Sequence, residues 1–244
     1  MFNGIKGVLY RQLSVYRKRV RKQVLAASVS PLLFLVAFGW GLGDRVVNGM
    51  PYITFLLPGL ITMASMNQSY GIAQEINITR FYFHLYDEYL IAPVSSLELA
   101  LGEVLYGIFK GLVSTTLIFL YAIVFKVSLQ VTGEFFLGLF LHTFLFASLG
   151  TMMAMVVKDH GSQATVNTFV ITPMIFLCGT FFPVDKLPYV FKLLVYTLPL
   201  TYSTKVIRAS LTGGVVKPLH LFVLGLYAAV FFLGATLAIR RVES

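Results

Sequence analysis

The stretch FLCGTFFPVDKLPYVFKLLVYTLPLTY, Phe176–Tyr202, is as apolar as a membrane span, yet prolines at 183, 188 and 199 divide it. After Pro183 no piece is long enough to cross a bilayer, whose hydrocarbon core asks for roughly 20 helical residues. Pro183 and Pro188 remove backbone donors, and Pro199 ends the next helical run. Backbone groups freed in this way cannot face lipid; they must be buried in protein or reach water. Residues 183–212 are therefore expected to form short helices that dip into the outer leaflet and return. The competing reading is an outer loop that carries apolar residues.

The rest of the chain is built for the same solvent. Of its 244 residues, 57% are hydrophobic and 12% charged, and the mean hydropathy is +0.82. Soluble domains carry about 25% charged residues, so lipid must be the solvent for much of this surface. The net charge is +9, and six basic residues fall within Arg11–Lys22, RQLSVYRKRVRK. Directly before an apolar span, that run fits retention on the cytoplasmic side better than nucleic-acid binding. The single cysteine, Cys178, excludes an internal disulfide and a cysteine metal cluster. The basic N-terminal region is long and no small-x-small cleavage site follows Trp40, so the first span is expected to stay in the mature protein.

Six apolar segments are candidate spans: Val24–Leu42, Ile53–Ala73, Leu97–Phe125, Phe135–Val157, Gln163–Phe182 and Leu219–Ile239. Before them, Ile5, Val8, Leu9, Leu13, Tyr16 and Val20 recur at helical spacing between Lys and Arg. That pattern predicts an amphipathic helix over 3–22 lying on the membrane surface. With the N-terminus inside, eleven Lys and Arg fall on the inner side and seven on the outer, with Lys110 inside the third span. Both termini inside require an even number of spans, and six fits. The expected fold is one all-α integral membrane domain over 1–244. It has an N-terminal interface helix, six transmembrane helices, and a re-entrant helical pair between the fifth and sixth.

Chemistry-bearing motifs are sparse. H-E-x-x-H, G-x-S-x-G and G-x-x-x-x-G-K-[ST] are all missing, so the chain has no P-loop of its own. The histidines at 84, 142, 160 and 220 lack metal-ligand spacing and read as structural. The inner segment Glu75–Glu103, EINITRFYFHLYDEYLIAPVSSLELALGE, turns from polar to aromatic at Phe81, Tyr82, Phe83, Tyr86 and Tyr89, with acidic Asp87 and Glu88. Pro93 stops its helix, and Ser95 to Glu98 has the S-x-x-E form of a capping box. Such a helix suits another protein's groove or the membrane surface.

Polar residues also enter the spans. The second span carries Thr62, Ser65, Asn67, Gln68 and Ser69. The fifth carries Gln163, Thr165, Asn167, Thr168 and Thr172, then Pro173. Thr165, Thr168 and Thr172 share one helix face. Interhelical hydrogen bonding and a hydrophilic substrate route both account for them. Pro173 predicts a kink. Glu103 is expected to reach the inner interface, and Lys110 to snorkel or to pair with Glu103 through an intermediate group.

FLCGTFFPVDKLP (176–188), LPLTYSTKVIR (198–208) and EYLIAPVSSLELALGEVL (88–105), with the order of helices, resemble the ATP-binding-cassette type-2 permease family. Within it the chain is most similar to the nodulation-factor export branch, whose substrates are lipo-oligosaccharides; drug and polysaccharide exporters share the motifs. The resemblance implies a homodimer in the cytoplasmic (inner) membrane, both termini cytoplasmic, recruiting two separate ATPase subunits that bind ATP and Mg. The chain itself is then a transport subunit with no cofactor of its own. A coupling helix at about 78–92 would present Arg80, Phe81, Tyr82, His84, Tyr86, Asp87 and Glu88 to the ATPase. The pathway between first, second and fifth spans would include Thr62, Ser65, Asn67, Thr165, Asn167, Thr168 and Thr172. The re-entrant gate would hold Phe182, Pro183, Asp185, Pro188 and Pro199. The alternative is a membrane enzyme acting on lipid or glycan, with Glu103, His142 or Asp159 as acid/base groups.

Overall fold

A computed structural model describes residues 2–42, 45–83 and 85–243. Helix α1 runs unbroken from Phe2 to Gly41. The expected boundary between a surface helix over 3–22 and a span from Val24 is not there. Nothing in RKQVLAAS (21–28) breaks a helix, and Pro31 is taken inside it.

The chain returns through a hairpin of two short strands, β1 (Val46–Val47) and β2 (Met50–Pro51). Asn48 and Gly49 both have positive φ, 51° and 78°, the geometry for which Asn-Gly is favoured. Helix α2 (Tyr52–Tyr70) follows, and α3 (Ile72–Phe81) continues almost directly, because Gly71 keeps a helical φ of −60°. The amides of Tyr82 and Phe83 both turn back to the Ile78 carbonyl and close α3. A separate short helix, α4 (Leu85–Ile91), comes next. The single helix expected over 78–92 is thus two pieces.

Helix α5 (Ser96–Val124) starts on the predicted capping box: Ser95 N donates to Glu98 Oε2 at 3.1 Å, and Glu98 N to Ser95 Oγ at 3.4 Å. It runs parallel to α1 over most of its length. The Gly4 amide donates to Glu98 Oε1, and Tyr121 Oη donates to the Ser28 carbonyl.

Helix α6 (Gly133–Val156) precedes a composite helix: α7 (His160–Val166), a π-helical turn (Asn167–Ile171) and α8 (Thr172–Leu177). Asp159 caps α7 by accepting from Ser162 N at 2.7 Å. The kink expected at Pro173 takes the form of the π turn. The Thr172 amide bonds the Asn167 carbonyl five residues back, and Thr172 Oγ1 donates to the same carbonyl at 3.0 Å. The composite ends at Leu177, earlier than the expected Phe182, because the chain turns out of the helix at Cys178 and Gly179, whose φ is 87°. After a 3₁₀ turn (Val184–Lys186), α9 (Tyr189–Tyr196) and α10 (Pro199–Leu211) occupy the proline-divided stretch. Pro188 precedes α9 and Pro199 opens α10, where a missing N–H costs nothing. The last helix, α11 (Pro218–Glu243), packs along α6.

Among the described residues four helices are long and apolar enough to cross a membrane, within α1, α5, α6 and α11. Helix α2 and the composite 160–177 are not among them, and both carry the polar residues noted above.

Helices α2, α5 and α6 pack closely where they meet. Gly107 and Gly111 form G-x-x-x-G in α5. A Cβ at 107 would lie 2.6 Å from Ala147 Cβ, and one at 111 would fall on Ser69 Oγ and 2.7 Å from Thr143 Cγ2. Small residues let the backbones approach, and Ser69 Oγ donates to the Gly107 carbonyl at 3.0 Å across the crossing.

Candidate functional site

The predicted site residues fall at two ends of the bundle and in a groove between them. At the α3–α4 end, Arg80 Nη1 donates to the carbonyls of Ala154 and Met155 at 3.0 and 3.1 Å, tying α3 to the end of α6. Its guanidinium lies 4.9 Å over the Phe81 ring. Tyr86 is buried, with its ring edge-on to Tyr89 in a cluster that includes Val8 and Tyr16 of α1 and Val104 of α5. Burial pushes its phenol well above the usual range. Tyr86 therefore seats α4 and does not belong to its outer rim. Tyr82, Phe83 and Glu88 are exposed there. Asp87 lies in α4, and His84 lies outside the described residues.

Two buried charges behind this end differ from expectation. Lys110 Nζ is 2.6 Å from Glu75 Oε1, and Tyr106 Oη donates to Glu75 Oε2 at 2.9 Å. The partner of Lys110 is thus on α3; it is not Glu103 through an intermediary. Glu103 does not reach an interface. It is 1% exposed and accepts from Gln12 Nε2 at 2.9 and 2.8 Å. Long-range pairings of this kind leave no mark in sequence spacing.

The polar span residues divide into two sets. Thr62 and Ser65 are fully buried and bond back to the Pro58 and Ile61 carbonyls, with His142 Nε2 3.0 Å from Ser65 Oγ. Asn67, Thr165, Thr168 and Thr172 are exposed, with Asn167 partly covered beside them. Between α2 and the composite helix lies a groove of about 230 Å³ lined by Asn67, Gln163, Asn167 and Thr172. Beside it a second opening of about 410 Å³ shares Gln74, Gln163 and Asn167 and adds Tyr82. Gln163 braces the walls: it accepts from Asn77 Nδ2 at 3.1 Å and donates to Tyr70 Oη at 2.7 Å. Of the seven predicted pathway residues the structure places Asn67, Asn167 and Thr172 on the groove, leaves Thr165 and Thr168 exposed outside its lining, and buries Thr62 and Ser65.

At the other end, Pro183 is buried, Phe182 is half-buried, and Pro188 and Pro199 bracket α9. Asp185 is 3.3 Å from Lys192. Tyr52 Oη donates to the Phe181 carbonyl at 2.8 Å. The residue that organises this end was not singled out by sequence reasoning. Arg208 of α10 donates Nη2 to the Gly179 carbonyl at 2.7 Å and Nε to the Phe55 carbonyl at 3.2 Å, and its guanidinium lies 3.8 Å over the Phe55 ring. Its available signal was an arginine set among the apolar residues of TKVIRASL (204–211).

This helix order has a broken segment held to α2 at one end and a two-piece arm at the other. The ABC-2 type transporter family matches residues 4–212, from α1 to α10. The chain belongs to that family. Nodulation protein J of Rhizobium meliloti is 31% identical over 241 residues, covering 95% of this chain and 90% of that protein. Nodulation protein J of Sinorhizobium fredii is 29% identical over 243 residues, covering 96% and 92%. The inner membrane transport permease YadH of Escherichia coli is 26% identical over 216 residues, covering 86% and 83%. As an ABC-2 type transporter the chain is a multi-pass membrane permease, and the resemblance carried by the three motifs is met.

The acid/base candidates of the enzymatic alternative each serve a separate partner: Glu103 with Gln12, His142 with Ser65, Asp159 with Ser162. Among the described residues no group of three His, Cys, Asp or Glu side chains is placed to hold a metal.

Proposed function

We propose that this chain is the membrane-spanning subunit of an ATP-driven exporter that moves an amphiphile outward across the cytoplasmic membrane. The substrate class is a lipid-linked saccharide, a lipid or a drug, with lipo-oligosaccharide foremost by the resemblance above. A separate cassette ATPase binds ATP and magnesium. Two copies of the chain pair, each engaging one ATPase subunit. Helix α2 and the composite 160–177 cross the membrane with the four apolar helices, which makes six spans. The basic part of α1 lies at the inner interface, both termini are cytoplasmic, and 183–212 returns to the outer side as a gate.

The observation that carries this reading is the α3–α4 arm. Its tip exposes Tyr82, Phe83 and Glu88, while Arg80 grips α6 and Tyr86 is packed against α1 and α5. A push on the tip is therefore delivered to three long helices at once. Support for the route comes from the polar groove between α2 and α8, which a second copy would close.

Co-expression with candidate cassette ATPases tests the proposal. The expected result is a stable complex whose ATP hydrolysis is stimulated by lipid-linked sugars or by hydrophobic drugs. Hydrolysis indifferent to every amphiphile, or no complex with any cassette ATPase, contradicts it.

A further inference from the structure

The end organised by Arg208 also holds a cleft of about 280 Å³, between the start of α2, the 178–187 segment, α10 and the start of α11. Its lining is unusually cationic for so small a space. Arg208, Lys205 and Lys217 all border it, with His220 beside them. Three backbone carbonyls orient Arg208 without neutralising it. Lys205 Nζ donates to Tyr196 Oη at 2.9 Å and lies 4.1 Å over that ring, again a neutral partner. The one carboxylate on the wall, Asp185, is engaged by Lys192, which is not part of the lining. Among the described residues no carboxylate stands within ion-pair distance of Arg208, Lys205 or Lys217.

The rest of the lining is mixed: Phe55 is buried under the Arg208 guanidinium, Val184 is buried, Val215 is exposed, and Thr204 and Asn48 add neutral polar groups. Unpaired cations in a partly desolvated cleft attract a negative group far more strongly than exposed ones do. An arginine already locked in place loses little freedom on binding.

We propose that this cleft binds the anionic head of an amphiphile, a phosphate, sulfate or carboxylate, with the adjoining chain leaving past the exposed Val215. Arg208 and Lys205 form the fixed floor and Lys217 the exposed rim. The proposal deepens the export reading and takes from it only the assignment of the cleft to the outer side. The same chemistry comes from two sources, an exported molecule on its way out or a phospholipid headgroup of the outer leaflet.

The test uses the full-length chain in phosphatidylcholine nanodiscs, without any ATPase, so its outcome is independent of ATPase coupling. Dodecyl phosphate, dodecyl maltoside and dodecyltrimethylammonium are titrated as probes. Dodecyl phosphate is expected to bind at least about tenfold more tightly than the other two, and Lys205→Gln with Lys217→Gln to remove that preference, the loss of two charge-assisted contacts. Lys217→Gln alone, at an exposed position that does not hold the fold, is expected to weaken dodecyl phosphate severalfold and leave dodecyl maltoside unchanged. Nanodiscs containing phosphatidylglycerol separate the sources: competition assigns the cleft to lipid headgroups, and its absence to an exported anion. Equal binding of all three probes, or wild-type dodecyl phosphate affinity in both variants, overturns the proposal.

Discussion

The Lys110 ammonium lies 2.6 Å from the Glu75 carboxylate and joins α5 to α3 inside the bundle. Lys110 is 7% exposed at its side chain and Glu75 32%, so neither charge is fully hydrated. Removing one partner leaves the other stranded; removing both does not. Lys110→Ala is expected to destabilise the detergent-solubilised chain by about 2 kcal/mol, less than the ~3–5 kcal/mol of a fully buried pair because the partly exposed Glu75 can turn toward water. The double variant Lys110→Gln with Glu75→Gln recovers most of the loss. Thermal unfolding of the three proteins checks this, and a double variant as unstable as the single would deny the pairing.

Gly111 sits under Ser69 and Thr143 at the α2–α5–α6 crossing. Gly111→Ala drives a methyl into that contact and is expected to cost about 1–3 kcal/mol, as overpacking does. Gly225 has open space around its Cβ position. Gly225→Ala is expected to be neutral or to stabilise by up to about 1 kcal/mol through helix propensity. A matched pair of melting curves decides whether packing or helix propensity governs these glycines.

Ser95 and Glu98 close the capping box from which α5 starts, and Glu98 also accepts the Gly4 amide of α1. Ser95→Ala is expected to cost about 1 kcal/mol and to speed hydrogen exchange over 96–99. Unaltered exchange there would mean that packing alone sets the start of α5.

Glu88 is exposed at the tip of the α3–α4 arm. Asp87→Lys with Glu88→Lys is expected to insert and fold normally while losing ATPase co-purification and transport. Undiminished co-purification would remove the arm from the coupling role.

The sequence disclosed what repeats or interrupts. Continuous apolar runs marked α5, α6 and α11, three prolines marked the broken segment that holds α9 and α10, and S-x-x-E marked the start of α5. It did not disclose what pairs across distance. Lys110 with Glu75 and Arg208 with the Gly179 carbonyl join elements far apart in the chain, and no local spacing encodes them. The course of the helices is least legible where no glycine or proline marks a break. Residues 21–28 hold no breaker, so α1 continues through the expected boundary. At Tyr82 and Phe83 the chain leaves the helix with only aromatic residues to mark it. The Thr165–Thr172 stripe is legible by periodicity, whereas the burial of Thr62 and Ser65 is not, because polarity does not say which way a side chain faces. The G-x-x-x-G of α5 is readable in the sequence, but not which helices it brings together.

The account depends most on the α6–α7 turn facing the cytoplasm while the α10–α11 loop faces outward. Single cysteines at Lys158 and at Val215, both exposed positions, can be probed with a membrane-impermeant maleimide, and the fully buried Cys178 keeps the background low. In intact cells Val215→Cys is expected to be labelled and Lys158→Cys protected until the membrane is opened. Labelling of Lys158→Cys in intact cells with Val215→Cys protected would contradict the account.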